Sequence, residues 1–323
     1  MKILVRLPNW LGDVVMSTAF VKALAANYPN AEIHLIIKKE LAGIGELIST
    51  PHQLHLFSKK EFKGAFGAYK FGKQLQKFNF DLFFSLPNSF SAALMGFATK
   101  AKIRVGFGGD ARFFLLTKTF AQPKQQHRVL DYISLLEQFT QKKLDDVAVS
   151  LTAEKIDLEK KLILINFNSE AVSRRMPLEK GKSILASLLH NFPNANFGLI
   201  GSPKEREFVQ SFINFFPDQS FTNYAGKTDF KTLVNLMASA SFMLSTDSGP
   251  AHVANSTYTP LLVLFGAGNE NNTAPFNKKK LHTLRLGKLS CEPCVKNICI
   301  YGLPKCLEEL DNHKIVETAK TYV

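Results

Sequence analysis

No stretch of this chain is apolar for long enough to cross a membrane. Leu261-Leu262-Val263-Leu264-Phe265 is typical of its longest apolar runs, against the roughly 20 residues that a spanning helix needs. The opening Met1-Lys2-Ile3-Leu4-Val5-Arg6-Leu7-Pro8 breaks after four apolar-rich positions, so it reads as a strand and not as a secretory signal, and the expected location is the cytosol. Low-complexity tracts are absent, and 46% apolar with 21% charged residues is the composition of a folded chain. No G-x-G-x-x-G follows either opening strand, which argues against an NAD-dependent dehydrogenase. Tryptophan occurs once, at Trp10, and cysteine only between Cys291 and Cys306.

Acidic residues are also in deficit, 27 against 40 lysines and arginines, for a formal charge of +13. The deficit is uneven: residues 1–150 carry 20 basic and 11 acidic side chains, a net +9, and residues 151–323 carry 20 and 16, a net +4. A basic first half concentrates anionic partners, whether nucleic acid, an acidic membrane surface or a phosphorylated substrate, unless it is only a lysine-rich solvated face.

At 323 residues the chain exceeds one ordinary core, and two domains are expected, 1–150 and 151–323, joined through the charged stretch from Thr140 to Lys161. Short apolar blocks alternate with longer segments of helical period, the pattern of parallel sheets covered by helices. Strands are expected at Ile3–Leu7, Glu32–Ile37, Leu54–Phe57, Leu82–Leu86 and Ile103–Phe107, then at Leu162–Phe167, Ala195–Ile200, Phe221–Tyr224, Phe242–Ser245 and Pro260–Phe265. A helix is expected over Thr18–Tyr28, ended by the turn signal Asn27-Tyr28-Pro29-Asn30.

Three loops carry candidate chemistry. Thr246-Asp247-Ser248-Gly249-Pro250-Ala251-His252 follows an apolar strand, and Pro250 falls where a helix begins and a missing N–H costs nothing. Such a helix start offers amides and a dipole to an anion such as a diphosphate. Read plainly, it is an ordinary helix capped by Asp247 or Ser248, with His252 in the core. Asn168-Ser169 and Arg174-Arg175 follow the first strand of the second half, and paired guanidinium groups suit phosphate oxygens. Asn9-Trp10-Leu11-Gly12-Asp13 follows the first strand of all, where Gly12 permits a tight turn. Asp13 there either caps the next helix or takes a proton from a hydroxyl nucleophile.

Together Trp10-Leu11-Gly12-Asp13, Ser173-Arg174-Arg175-Met176-Pro177 and Thr246-Asp247-Ser248-Gly249 with His252 resemble the signature blocks of the lipopolysaccharide heptosyltransferases, glycosyltransferase family nine. Leu86-Pro87-Asn88-Ser89-Phe90 and Arg104-Val105-Gly106 followed by Arg112 resemble the type II members in particular. The resemblance covers most of the chain, and the order of its blocks is more specific than any one block. It implies an α/β, GT-B architecture of two Rossmann-like, doubly wound parallel-sheet domains facing a cleft, the first for the acceptor and the second for the nucleotide sugar. The last helix is expected to pack back on the first domain. The implied reaction is inverting transfer of L-glycero-D-manno-heptose from ADP-heptose to an anionic, Kdo-lipid A-type acceptor of the lipopolysaccharide inner core. It would run without metal or other cofactor, and without nucleic acid, in peripheral contact with the cytosolic face of a Gram-negative inner membrane.

Residue by residue, the resemblance makes Asp13 the general base. It places Asn168, Ser169, Arg174, Arg175, Thr228, Asp247, Ser248, Gly249 and His252 on the donor, and Asn9, Trp10 and Arg112 on the acceptor. Lys59, Lys60 and Lys63 join the acceptor side by location and charge alone. Arg174 stands where the family commonly has lysine and Met176 where it has tryptophan, which puts the packing of that loop in question. The same fold serving another heptosyltransferase type or nucleotide sugar, and a noncatalytic protein that binds anionic surfaces, are the alternatives.

The four cysteines, Cys291-Glu292-Pro293-Cys294 followed by Cys299 and Cys306, leave three states open: reduced thiols, a structural metal site and labile disulfides.

Overall fold

Short blocks of Ile, Val, Leu and Phe become strands and the segments between them become helices in the computed structural model, which describes residues 1–109 and 111–323. The chain divides into two units, Met1–Ser150 and Leu151–Val323.

In the first unit the elements run β1 (Lys2–Arg6), α1 (Leu11–Asn27), β2 (Glu32–Lys38), α2 (Ala42–Gly45), β3 (Gln53–Phe57), α3 (Gly64–Gln74), β4 (Leu82–Ser85), α4 (Phe90–Ala98), β5 (Ile103–Phe107), β6 (Lys118–Phe120) and α5 (Arg128–Thr140). The strands form one parallel sheet in the order β3-β2-β1-β4-β5-β6. Ile3 pairs with Ile33 on one side and Leu82 on the other, so the central strand is apolar on both faces and buried from Ile3 to Arg6. Phe57, Phe71, Phe80 and Phe83 fill one layer between sheet and helices.

The second unit repeats this plan with β7 (Leu162–Asn166), α6 (Leu178–Asn191), β8 (Asn196–Leu199), α7 (Arg206–Ile213), β9 (Phe221–Asn223), α8 (Phe230–Ser239), β10 (Phe242–Thr246), α9 (Gly249–Ser256), β11 (Leu261–Phe265), α10 (Glu270–Thr273), β12 (Leu281–Arg285), α11 (Lys305–Glu308) and α12 (Asn312–Lys320). Its parallel sheet runs β12-β11-β10-β7-β8-β9. Each unit is thus a Rossmann-like, doubly wound sheet whose winding reverses between its first and fourth strands. The loops that leave those strands diverge there and open a crevice at the carboxyl edge.

Two departures from expectation have physical causes. Helix α1 begins at Leu11, seven residues before Thr18, and Val14 to Val21 are buried throughout, so that half of the helix has no polar face to give it a period. Gly12 is therefore a helical residue and not a turn. Strands β6 and β12 went unread because both lie at sheet edges, half-exposed and with few apolar residues. The closing helix α12 packs within the second unit. Its Ile315, Val316 and Ala319 belong to the second unit's core, it lies against α6, and Asn312 donates to Ser183 Oγ at 2.8 Å.

Candidate functional site

In the second unit the residues at the carboxyl edge of β7 and β10 form a buried polar network. Ser245 pairs in register with Asn166, so the Asn166 amide donates to Ser245 Oγ at 3.1 Å and to Ser248 Oγ at 2.8 Å. Thr246 Oγ1 donates to the Asn168 carbonyl at 2.7 Å, and the Asn168 amide to the Ile200 carbonyl at 2.8 Å. The Asn168 Oδ1, Arg174 Nε and Arg175 Nε atoms are buried without a protein partner. Polar atoms left open in a buried crevice lose free energy unless a ligand or water meets them.

Helix α9 starts on this network. Pro250 stands in its first turn, as expected, but neither Asp247 nor Ser248 caps it. Ser248 sits at the cap position with its hydroxyl turned back to the Thr246 carbonyl at 3.2 Å, which leaves the helix start without a side-chain acceptor. Asp247 instead reaches Arg174, whose Nη1 lies 3.4 Å from its Oδ2. Burial raises the Asp247 carboxyl above its usual range, and Arg174 and then Arg285 offset this only in part. A Cβ on Gly268, after β11, would fall on Asp247 Oδ2, so this glycine leaves the room that the carboxylate occupies. His252 is buried within α9, and Ser169 is buried at the end of β7.

Two expected donor residues sit apart from the Arg174–Asp247 pair. Arg175 donates to the Ser169 carbonyl at 3.1 Å and lies over the Phe208 ring, so it holds its own loop. Thr228 is half-buried in the loop between β9 and α8, beyond the outermost strand on that side. Met176 is buried in the core and its amide donates to the Phe167 carbonyl at 3.0 Å, which settles the packing of the loop.

In the first unit Asp13 occupies the first turn of α1, not the cap, and Trp10 at the cap position makes no side-chain bond to the helix. The Tyr132 hydroxyl on α5 donates to Asp13 Oδ1 at 3.5 Å. Burial raises the Asp13 carboxyl, with Arg128 and the Tyr132 bond pulling the other way. Asn9 accepts from Arg6 Nη2 at 2.5 Å, and Trp10 is exposed with Lys38 over its ring at 5.9 Å. Lys59, Lys60 and Lys63 are exposed in the loop between β3 and α3. Arg112 is buried and donates Nε to the Gly109 carbonyl at 2.9 Å and Nη2 to the Gly108 carbonyl at 2.7 Å, which staples its loop.

The sequence reading missed four contributors. Asn166 joins the two strands of the switch point. Arg285 on β12 binds Glu270 through Nε at 2.9 and 3.1 Å and the Gly266 carbonyl at 2.6 Å, bracing the loop that contains Gly268. Tyr132 faces Asp13 from 119 residues away. Arg6, in an apolar strand, is buried and lowered to about 10 by that burial. Arginine inside a strand block and a strand as polar as Leu281-His282-Thr283-Leu284-Arg285 give no periodic signal.

All four cysteines are free. They line one cavity of about 40 Å³ with Ser173 and Tyr301, and burial pushes the Cys306 thiol up to about 11. Among the described residues no three His, Cys, Asp or Glu side chains converge as metal ligands.

Two doubly wound sheets, the second with an uncapped helix start beside the half-buried Arg174, have the GT-B fold, and the family match makes the class a glycosyltransferase. Residues 68–304 match the family model of glycosyltransferase family 9 (heptosyltransferase), and the chain belongs to that family. The lipopolysaccharide core heptosyltransferase OpsX of Haemophilus influenzae is 28% identical over 284 residues, which cover 83% of this chain and 79% of that protein. Lipopolysaccharide heptosyltransferase 2 of Escherichia coli is 26% identical over 309 residues, 86% of each. The solved structure of E. coli ADP-heptose lps heptosyltransferase II shares the fold with a TM-score of 0.83 at 22% identity, over 100% of this chain and 98% of that one. A family 9 glycosyl transferase from Veillonella parvula gives 0.87 at 20% identity, over 99% and 96%.

Proposed function

We propose that the chain transfers L-glycero-D-manno-heptose from ADP-heptose to the inner core of a Kdo-lipid A-type acceptor, with inversion and without a metal. The observation that carries this reading is the uncapped start of α9 beside Arg174, which is paired with Asp247 at 3.4 Å. In the transfer a bond forms between the acceptor oxygen and the anomeric carbon, and the bond from that carbon to the diphosphate oxygen breaks. The hydroxyl proton passes to Asp13 and ADP leaves. Negative charge grows on the diphosphate as it departs, where Arg174 and the α9 amides stabilise the transition state more than the ground state. Those groups take the part that a divalent cation plays elsewhere. A carboxylate raised by burial, as Asp13 is, holds a proton more firmly than an exposed one and is the better base.

In this reading the second unit binds the donor, with Asn168, Ser169, Ser248, Gly249, His252 and Thr228 around the nucleotide sugar. The first unit receives the acceptor, with Asn9, Trp10 and the Lys59, Lys60 and Lys63 loop toward its anionic groups. The site of action is the cytosolic face of a Gram-negative inner membrane. Names of relatives that act on lipopolysaccharide or lipooligosaccharide support the acceptor class.

Transfer of labelled heptose from ADP-heptose is the test. Turnover on Kdo-lipid A already bearing one heptose is expected. Turnover only on heptose-free Kdo-lipid A would reassign the acceptor, and folded protein that moves no heptose from ADP-heptose to either would contradict the reading.

A further inference from the structure

The carboxyl edge of the first sheet bears side chains for which the transfer chemistry has no use. Phe66 in the first turn of α3, Phe90 at the start of α4, and Phe113 and Phe114 in the turn after β5 are 79%, 46%, 58% and 75% exposed. Helices α3 and α4 both lead away from the carboxyl edge and pack side by side, Gly72 of α3 lying against Met95 and Ala98 of α4, which brings Phe66 level with Phe90. The turn with Phe113 and Phe114 leaves the same edge beside α4, and the two rings lie 3.9 Å apart.

Single exposed apolar side chains are ordinary on a protein surface, but four phenylalanines on adjoining elements form a patch that water solvates poorly. Phenylalanine offers no polar atom in compensation, as tyrosine or tryptophan would. The exposed charge beside the patch is mainly basic. Lys59, Lys60 and Lys63 are exposed at the edge itself, where Glu61 is taken up by Lys39 at 3.0 Å.

An apolar patch flanked by the exposed Lys59, Lys60 and Lys63 matches the interface of an anionic bilayer, where rings enter the boundary between headgroups and acyl chains and ammonium groups meet lipid phosphates. We propose that this edge, with Phe66, Phe90, Phe113 and Phe114, is the surface by which the protein docks on anionic lipid. The inference deepens the proposed function and rests on it in one respect, the first unit as acceptor side. An acceptor whose acyl chains stay in the bilayer presents its sugar to Asp13 only if the edge that carries Asp13 faces that bilayer. No helix among the described residues is long and apolar enough to cross a membrane, so the contact is at the surface.

The experiment is co-sedimentation of the full chain with vesicles of mixed phosphatidylethanolamine and phosphatidylglycerol, with pure phosphatidylcholine vesicles as the control. Binding to the anionic vesicles alone is expected, and its loss in high salt. The triple variant Phe66→Ser/Phe113→Ser/Phe114→Ser should lower the partition coefficient by about tenfold or more. That variant should keep the parent's circular dichroism, ADP affinity and transfer to a deacylated, water-soluble acceptor, and lose transfer to the acceptor in vesicles. Equal vesicle binding by parent and variant would overturn the proposal. So would a parent that ignores anionic vesicles while it glycosylates the soluble acceptor, and that result would leave the proposed reaction standing. A parent that binds anionic vesicles through the phenylalanines but never glycosylates the soluble acceptor would support the surface and defeat the reaction.

Discussion

Asp13 is held partly out of water, and its raised carboxyl has two consequences of opposite value. A group whose folded pKa lies above its unfolded one costs stability wherever it is ionised and returns that stability as pH falls through the folded value. Asp13→Asn should therefore melt higher at neutral pH, even as the proposed reaction loses its base. For the same reason the acid limb of the transfer rate should lie above the ordinary aspartate range, which a kcat/KM profile against pH measures. Gly268 gives a second test at this scale. A methyl there must displace Asp247 or the loop, so Gly268→Ala should cost about 1–3 kcal/mol and weaken ADP binding, read by denaturant melts and calorimetry. Asp13 was legible in the sequence because it stands alone after the first strand. Gly268 was not, since the carboxylate that needs its space is 21 residues away in sequence and meets it only in the fold.

At the scale of elements, the two switch points rest on strands that were easy to read and on edges that were not. The central strands announce themselves as apolar blocks because both of their faces are buried. Edge strand β12 does not, and with it went Arg285, which braces the Gly268 loop through Glu270. Strands β2 and β3 add a pH-dependent contact. His34 and His55 lie nearly coplanar, ring centroids 5.1 Å apart, and share a hydrogen bond of 2.9 Å between Nδ1 and Nε2, with Glu32 on the far nitrogen of His34 and Phe78 and Phe80 against both rings. Burial lowers both histidines, His55 to about 4, helped by the His34 ring and Lys77. Below pH ~6.5 the unfolded chain takes up protons that the folded one refuses, so this contribution is whole above that pH and lost as pH falls toward about 4. Stability measured by urea melts should fall by roughly 1–2 kcal/mol across that window, and His55→Gln should flatten the slope.

For the whole molecule, the order of the signature blocks carried more than any block alone, because it assigns one opening strand to each of two sheets and, in the proposed reaction, one half of the chemistry to each unit. What the sequence withheld are contacts of long range, such as Tyr132 on Asp13, and the roles of neighbours of like type. Arg174 and Arg175 look interchangeable in sequence, yet one faces Asp247 and the other holds the Ser169 carbonyl. ADP should raise the melting temperature by mass action, by about 2.7 kcal/mol of stability at a hundredfold excess over its Kd, and Arg174→Ala should reduce that gain. The central claim is that base and leaving-group clamp are separate and belong to different units. Asp13→Asn tests it most directly when heptose transfer and calorimetric ADP binding are measured on the same preparation. The account expects transfer to drop by several orders of magnitude while the ADP Kd stays within a few-fold of the parent's. Transfer that survives the substitution, or ADP affinity that collapses with it, would contradict the account.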